Sequence, residues 1–191
     1  MSHPQRRPAA QRGVATVEFA MTVIILLVVM FGVMEIARVM YVWSTLTEVT
    51  RRYARELALT DFTDAAALAK ARRRATFGSS DGGFPLSGPI KGDHFQVRYL
   101  QADQSPATMP LCPVQNIINC AADPNGANCI RFVEVRVCKP DGAEGACEHV
   151  THTALVGMHG PTWAAFKYPT FATAAPVETL GYRPGAASSC P

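Results

Sequence analysis

The sequence predicts an α+β protein with a long N-terminal transmembrane helix, a second short helix, and a small antiparallel β domain with disulfides. Three observations predict it: an apolar run at residues 14–34, segments of alternating polarity in the second half, and six cysteines in the last 80 residues. The 191 residues suffice for one modest folded domain and an appendage. We divide the chain into a basic leader (1–13), a transmembrane and amphipathic helix (14–58) and an extracytoplasmic domain (59–191).

Positive charge is concentrated before the apolar run and just after it. The net charge is +3 over residues 1–13, −2 over 14–50, +4 over 51–74 and −2 over 75–191. A protein that binds nucleic acid usually carries a basic surface on its folded domain. Because residues 75–191 are slightly acidic, we expect no nucleic-acid partner.

The apolar run of 21 residues contains one charged residue, Glu18. A helix of this length spans about 31 Å, close to the hydrocarbon thickness of a bilayer. A secretory signal peptide has a shorter apolar core that ends at a small-residue cleavage site, whereas this run continues at helical spacing through residues 35–43. We therefore expect a single-pass anchor in contact with membrane lipid. The arginines before the run predict a cytoplasmic N-terminus and a periplasmic C-terminal domain.

Glu18 is unusual in this run, because a charged side chain costs about 2.5–3.5 kcal/mol at the bilayer centre and less near the edge. One interpretation is that Glu18 lies at the interface and reaches water. The other begins from Gly13, a residue that suits an extended segment entering a protease site. Cleavage after Gly13 would make Glu18 the fifth residue and would create a cationic amine on Val14. The amine of an adjacent subunit would then neutralise the Glu18 carboxylate inside the membrane.

These residues resemble a known family. A basic leader, Gly13, four small or apolar residues, Glu18 and Phe19, and then an apolar helix form the pattern that prepilin peptidases process in type IV-like pilins. The continuation, through the Gly32-x-x-Glu35 step to Arg55, resembles the TadE-like pseudopilins of tight-adherence (Flp-type, type IVb-like) pilus systems. The resemblance covers roughly residues 12–58, although many relatives carry a proline in the apolar run where this chain has Thr22-Val23.

The resemblance implies a pilin-like minor pilin or pseudopilin that takes part in assembling a tight-adherence pilus or a related secretion filament. It implies that prepilin peptidase cuts between Gly13 and Val14, and that Glu18, next to Phe19, serves assembly with other pilins and pilus assembly proteins. The expected location is the inner membrane, with the protein remaining there or entering an extracellular, adhesive pilus. Two alternatives stay open: a signal-anchored periplasmic binding or scaffold protein that does not polymerise, and a membrane-anchored enzyme.

After the membrane run, the helix is predicted to continue amphipathically. Apolar residues recur at steps of three and four, and four charged residues lie on the other face, which we expect to be solvated rather than bound to lipid headgroups or a partner. The apolar set is Val42, Leu46, Val49, Tyr53 and Leu57, and the charged set is Glu48, Arg51, Arg52 and Arg55. A second helix is predicted over residues 64–75, with Asp61 or Thr63 as its cap.

Three later segments alternate in polarity and are predicted to be strands: 94–100, 130–138 and 150–156. The turn residues at 139–142 predict that the second and third strands form a hairpin. A further strand is expected near residues 171–180. Residues 101–129 contain four prolines and are predicted to form an irregular loop that cysteines hold in place.

The six cysteines contain no C-x-x-C pair, which fits a zinc site poorly and favours disulfides in an oxidising compartment. They are Cys112, Cys120, Cys129, Cys138, Cys147 and Cys190. Six cysteines allow 15 pairings. Cys138–Cys147 is favoured because a Pro-Asp-Gly turn lies between them, and the same argument applies more weakly to Cys120–Cys129, which leaves Cys112 with Cys190.

No pattern in the sequence predicts catalysis or cofactor binding. Cys147, His149, His152 and His159 resemble a metal site, but His149 and His152 would face opposite sides of a strand. Ser188-Ser189 has no elbow-like context, and no Gly-rich phosphate loop joins a strand to a helix. We expect no enzyme activity, no cofactor and no metal.

Overall fold

The computed structural model describes residues 12–140, 146–154, 166–184 and 190. The elements are α1 (Arg12–Ala58), α2 (Ala65–Ala75), a 3₁₀ turn (Gly92–His94), β1 (Phe95–Leu100), α3 (Pro113–Ala122), β2 (Phe132–Val137) and β3 (Ala172–Pro176). The predicted fold class is confirmed by the long N-terminal helix, the short helices, the small antiparallel sheet and the disulfides. By its internal contacts the chain divides into two compact units after Val39, so α1 contributes to both.

The sheet has three antiparallel strands within the described ranges, in the order β1-β2-β3. Val135 on the central strand pairs with Val97 on β1 and with Thr173 on β3. Residues directly opposite each other in antiparallel strands place their side chains on the same face. The side chains of these three residues therefore lie on one face of the sheet. Arg98 and Glu134, the neighbouring pair of β1 and β2, lie on the opposite face.

The part of α1 beyond residue 40 covers the face marked by Val135. All five apolar positions predicted from the spacing are buried there: Val42, Leu46, Val49, Tyr53 and Leu57. The ring of Tyr53 meets that of Phe95 edge to face at a centroid distance of 6.3 Å. Each large apolar side chain that is fully buried contributes roughly 1.5–3 kcal/mol, so this half of α1 belongs to the core of the domain.

The predicted second helix is present as α2, but neither Asp61 nor Thr63, the predicted caps, is its N-cap. Asp64 is the N-cap, and its carboxylate accepts hydrogen bonds from the backbone N–H groups of Ala66 and Ala67 at 2.9 and 3.0 Å. Asp61 instead accepts from the backbone N–H and the hydroxyl of Thr63. Both carboxylates satisfy local N–H donors, and Asp64 is the one placed directly before the first helical residue.

The irregular loop predicted over residues 101–129 is wrong in its centre, where α3 lies. Pro113 occupies the first turn of α3, where its missing N–H costs nothing, and the sulfur of Cys112 caps the helix by accepting from the N–H of Gln115. The buried carboxamide of Asn116 accepts from the N–H of Ile130 at 2.8 Å and donates to its carbonyl. The helix is thereby fixed to the chain that enters β2.

The predicted hairpin between the second and third strands is also wrong. The two neighbours of β2 are β1 and β3, and β3 lies where the further strand was expected. Within residues 146–154, Thr151 forms a single bridge with Lys167 and no strand is present; residues 155 and 156 and the turn at 141–142 lie outside the described ranges. Periodicity identified alternating segments here, but it does not specify which strand pairs with which.

The three disulfides join the two cysteine pairs that the turn argument favoured and the pair that it left over. Cys138–Cys147 and Cys120–Cys129 each close a separation of 9 residues, with Cα atoms 4.9 and 4.8 Å apart. Cys112–Cys190 closes a separation of 78 residues, with Cα atoms 5.2 Å apart. The first short bridge begins at the residue after β2, and the second begins within α3. The long bridge joins the N-cap of α3 to Cys190.

Candidate functional site

The first half of α1 exposes apolar side chains on every side. The exposed large residues between 13 and 34 are Val14, Val17, Phe19, Met21, Ile24, Ile25, Leu26, Leu27, Val28, Val29, Met30, Val33 and Met34. A helix that is apolar all round is normally buried in a membrane or in other helices. By length and composition α1 is able to cross a membrane, which is consistent with a single-pass membrane protein.

Gly13 and Val14 lie in the first turn of α1. No heavy atom outside the adjacent residues and the helix backbone lies within 4 Å of the position that a Cβ would take at Gly13, in the part of the chain that the structure describes. Val14 is 55% exposed. A protease that requires an extended chain here must first unwind this turn, and terminal turns open at almost no free-energy cost.

Glu18 and Phe19 follow one turn later and both project away from the rest of the described chain. Phe19 is 70% exposed, and the carboxylate of Glu18 forms no hydrogen bond or ion pair with any described residue. The hydroxyl of Thr22 donates to the backbone carbonyl of Glu18 at 2.9 Å, a local bond that leaves the carboxylate available. The site therefore presents an acid and an aromatic ring side by side on an apolar surface.

A buried ion pair ends the apolar stretch. Arg38 donates from Nη1 to Oε1 of Glu35 at 2.9 Å, and both residues are less than a tenth exposed. From Glu18 to Glu35 the helix rises about 25 Å, and no charged residue lies between them. Sequence reasoning noted the Gly32-x-x-Glu35 step but missed this pair, although opposite charges three positions apart on a helix are a recognisable signal.

The charged face predicted on the second half of α1 is exposed to solvent at its arginines, Arg51, Arg52 and Arg55. Arg52 pairs with Glu48 at 2.6 Å, and this hydrogen bond lowers the pKa of the Glu48 carboxyl. The guanidinium of Arg52 also lies over the ring of Phe77, 5.2 Å from its centroid. Arg51 and Arg55 form no ion pair with any residue of the described ranges.

The cysteine and histidine cluster considered as a metal site has other partners. Cys147 is bonded to Cys138. His149 and His152 both contact Tyr168, His149 at its backbone oxygen (3.0 Å) and His152 at its hydroxyl (2.8 Å). His159 and Ser188-Ser189 lie outside the described residues. Among the residues that are described, no group of three or more His, Cys, Asp or Glu side chains is placed to hold a metal ion.

Comparison with known proteins identifies one family. Residues 13–55 match the family model of TadE-like protein, so the resemblance predicted from Gly13, Glu18 and the Gly32-x-x-Glu35 step is confirmed over that segment. The match covers the exposed apolar half of α1 and most of its amphipathic half, and it ends before α2. No curated protein and no solved structure matches the chain.

Proposed function

We propose that this chain is a minor pilin or pseudopilin, anchored in the inner membrane by α1, that takes part in assembling a tight-adherence pilus or a related secretion filament. The observation that carries the proposal is Glu18. It lies five residues after Gly13, on a helix that is apolar and exposed on all sides, within the segment that matches the TadE-like family. That family is typically structural rather than enzymatic, which supports an assembly role.

The spacing of charges along α1 supports a position for Glu18 inside the bilayer. If the Glu35–Arg38 pair lies at the periplasmic boundary, Glu18 lies about 25 Å away along the helix, whereas the hydrocarbon core is about 30 Å thick. Glu18 is then about 5 Å inside the cytoplasmic boundary. A carboxylate at that depth has lost part of its hydration, and a cationic partner lowers the cost.

The cationic partner in this proposal is the new N-terminus. Prepilin peptidase cuts after Gly13 and leaves a free amine on Val14, and the amine of one subunit pairs with Glu18 of the next. Phe19 and the apolar side chains around it then pack against the neighbouring helix. The basic leader lies in the cytoplasm before cleavage, and the disulfide-bonded domain lies in the periplasm, the oxidising side.

In-membrane cross-linking tests this function. A photoreactive phenylalanine analogue in place of Phe19 reports which molecules touch the helix beside Glu18. We expect cross-links to other pilins in a host with the complete pilus system, and we expect their loss when Glu18→Ala is added. A signal-anchored scaffold that does not polymerise would give cross-links to lipid without cross-links to pilins, and this result would contradict the proposal.

A further inference from the structure

On its outer edge, β3 pairs with no further strand among the described residues. The backbone N–H of Val137 donates to the carbonyl of Phe171, and the backbone N–H of Val177 donates to the carbonyl of Arg131. In this register the odd-numbered residues of β3 form the backbone hydrogen bonds to β2. By the alternation of a strand, the N–H and C=O groups of Ala172 and Ala174 point away from β2. No described residue bonds to them there, and both residues are exposed. An open strand edge is a template for another strand.

A groove of about 500 Å³ runs along this edge, between β3 and the second half of α1. It is lined by Arg51, Arg55 and Leu59 on the helix side, by Ala174 and Pro176 on the strand side, and by Glu178. Arg51 and Arg55 are both exposed, and neither forms an ion pair with the described residues, in contrast to Arg52 and Arg74. The groove therefore combines backbone groups that no described residue bonds with two exposed guanidinium groups, which outnumber its one lining carboxylate, Glu178.

The spacing of the two arginines matches that of side chains on a strand. Arg51 and Arg55 are four residues apart on a helix, a rise of about 6 Å. Residues i and i+2 of an extended chain place their side chains on the same face about 6.6 Å apart. An extended segment with acidic residues at i and i+2 thus presents its carboxylates at the interval of the guanidinium groups, while its backbone pairs with Ala172 and Ala174.

We propose that this groove binds an extended acidic segment of another protein, which joins the sheet as a fourth strand beside β3. The segment comes from a different protein because no two acidic residues in this chain are separated by one residue. Strand addition of this kind takes affinity from main-chain hydrogen bonds and specificity from side-chain contacts. The identity of the partner, another component of the pilus system, rests on the proposed function. The binding itself does not depend on cleavage of the leader.

The test uses the full-length protein in detergent micelles and a capped peptide, Thr-Val-Glu-Val-Glu-Val-Thr, with a Lys-for-Glu peptide as its counterpart. Calorimetric titration measures both affinities. Two variants alter the groove: the double charge reversal Arg51→Glu with Arg55→Glu, and Ala174→Pro, which removes one outward N–H and leaves the ladder to β2 intact. Arg73→Glu is the matched control, since Arg73 is also exposed and forms no ion pair within the described ranges.

We expect the acidic peptide to bind, and the double charge reversal to weaken its binding by at least about tenfold, the effect of one lost charge-assisted hydrogen bond. Ala174→Pro removes one neutral backbone hydrogen bond and should weaken binding by roughly two- to tenfold. Arg73→Glu should leave the affinity unchanged, and the Lys peptide should not bind. No binding of the acidic peptide up to about 1 mM, or equal binding of both peptides, would overturn the proposal. A third result would also overturn it: the protein binds anionic vesicles, the charge reversal abolishes that binding, and Ala174→Pro changes the binding of neither vesicles nor peptide. The arginines would then bind lipid headgroups. Normal N-terminal cleavage with no peptide binding would refute this inference alone.

Discussion

Thr50 on α1 and Thr173 on β3 are separated by 123 positions in the sequence, and their Oγ1 atoms lie 3.1 Å apart. The contact joins the helix that follows the membrane run to the edge strand near the C-terminal end of the chain. Around it, Val49, Tyr53 and Val135 are buried. The second half of α1 is therefore a structural part of the disulfide-bonded domain, in addition to connecting that domain to the apolar first half of α1.

This contact predicts where the domain can be cut. A fragment of residues 40–191, exported to an oxidising compartment, should fold and resist proteolysis. A fragment of residues 60–191 should not, because it lacks the five large buried apolar side chains of α1, each worth roughly 1.5–3 kcal/mol. Near-ultraviolet circular dichroism and limited proteolysis measure the difference. Equal protease resistance of the two fragments would show that α1 is dispensable for the domain.

The three disulfides should contribute unequally to stability. In the chain-entropy estimate, closing the 78-residue separation of Cys112–Cys190 stabilises by about 4.5 kcal/mol, and closing a 9-residue separation by about 2.6 kcal/mol. Replacing Cys112 and Cys190 by serine should thus lower the free energy of unfolding more than replacing Cys120 and Cys129. Urea denaturation of the exported 40–191 fragment gives both values. The reverse order would mean that local geometry outweighs chain entropy.

The hydroxyl oxygen of Tyr99 is shielded from solvent and has no hydrogen-bond partner among the described residues. Burial raises the pKa of this phenol above its ordinary value of 10.0. Because the folded state holds the proton more tightly, the associated stability is present below about pH 10 and is lost as pH rises through the folded-state pKa. Tyr99→Phe should leave the free energy of unfolding at pH 7 unchanged or raise it by about 1 kcal/mol, and should weaken the alkaline loss.

Urea titrations at pH 7 and above pH 10 test the Tyr99 prediction. Tyr41→Phe is the control, since Tyr41 is exposed, and it should change the free energy of unfolding at pH 7 by less than about 0.5 kcal/mol. A loss of more than about 1 kcal/mol at pH 7 in the Tyr99→Phe variant would reveal a partner for the hydroxyl.

Glu18→Ala should leave insertion of α1 intact or slightly improved, because it removes a carboxylate from apolar surroundings. It should impair association with other pilins, because the neighbouring amine loses its partner. Carbonate extraction of membranes measures insertion, and recovery of the chain with sheared filaments or with other pilins measures association. Glu18→Asp is the matched control that retains the charge. If the alanine variant assembles normally, Glu18 is an interfacial residue without an assembly role.

Substitutions at Gly13 should change cleavage by the protease without changing insertion or folding of the chain. Since no side chain of the described residues lies within 4 Å of its Cβ position, both Gly13→Ala and Gly13→Leu should insert and fold. Gly13→Ala is expected to be processed, whereas the bulkier Gly13→Leu should accumulate with its leader attached. Immunoblots of membrane fractions resolve the two forms by size. Efficient cleavage of the leucine variant would place the cut elsewhere.

The elements with a strong local signal could be predicted from the sequence. Five apolar residues at helical spacing marked the buried stripe of α1, and the motif from Gly13 to Glu18 marked the site that the family match includes. The helix α3 was missed because the prolines around it suggested a loop, although Pro113 is compatible with a first helical turn. The partner of β2 was missed because alternation identifies strands without specifying their pairing.

The groove beside β3 could not be predicted from the sequence. Arg51 and Ala174 are more than a hundred residues apart, and they line one groove because α1 covers the sheet on the side of Thr173. From the sequence, Arg51 and Arg55 are predicted to lie on an ordinary solvated face of the helix. Tertiary packing places them beside backbone groups of β3 that no described residue bonds.

The mass of the N-terminal peptide tests most directly the central claim, that the chain is processed as a pilin after Gly13. The chain is purified from hosts with and without the prepilin peptidase, and the mass of its N-terminal peptide is determined. The account predicts a mature chain that begins at Val14 in the first host and a chain that retains its leader in the second. Assembled protein that still carries residues 1–12, or identical N-termini in both hosts, would contradict it.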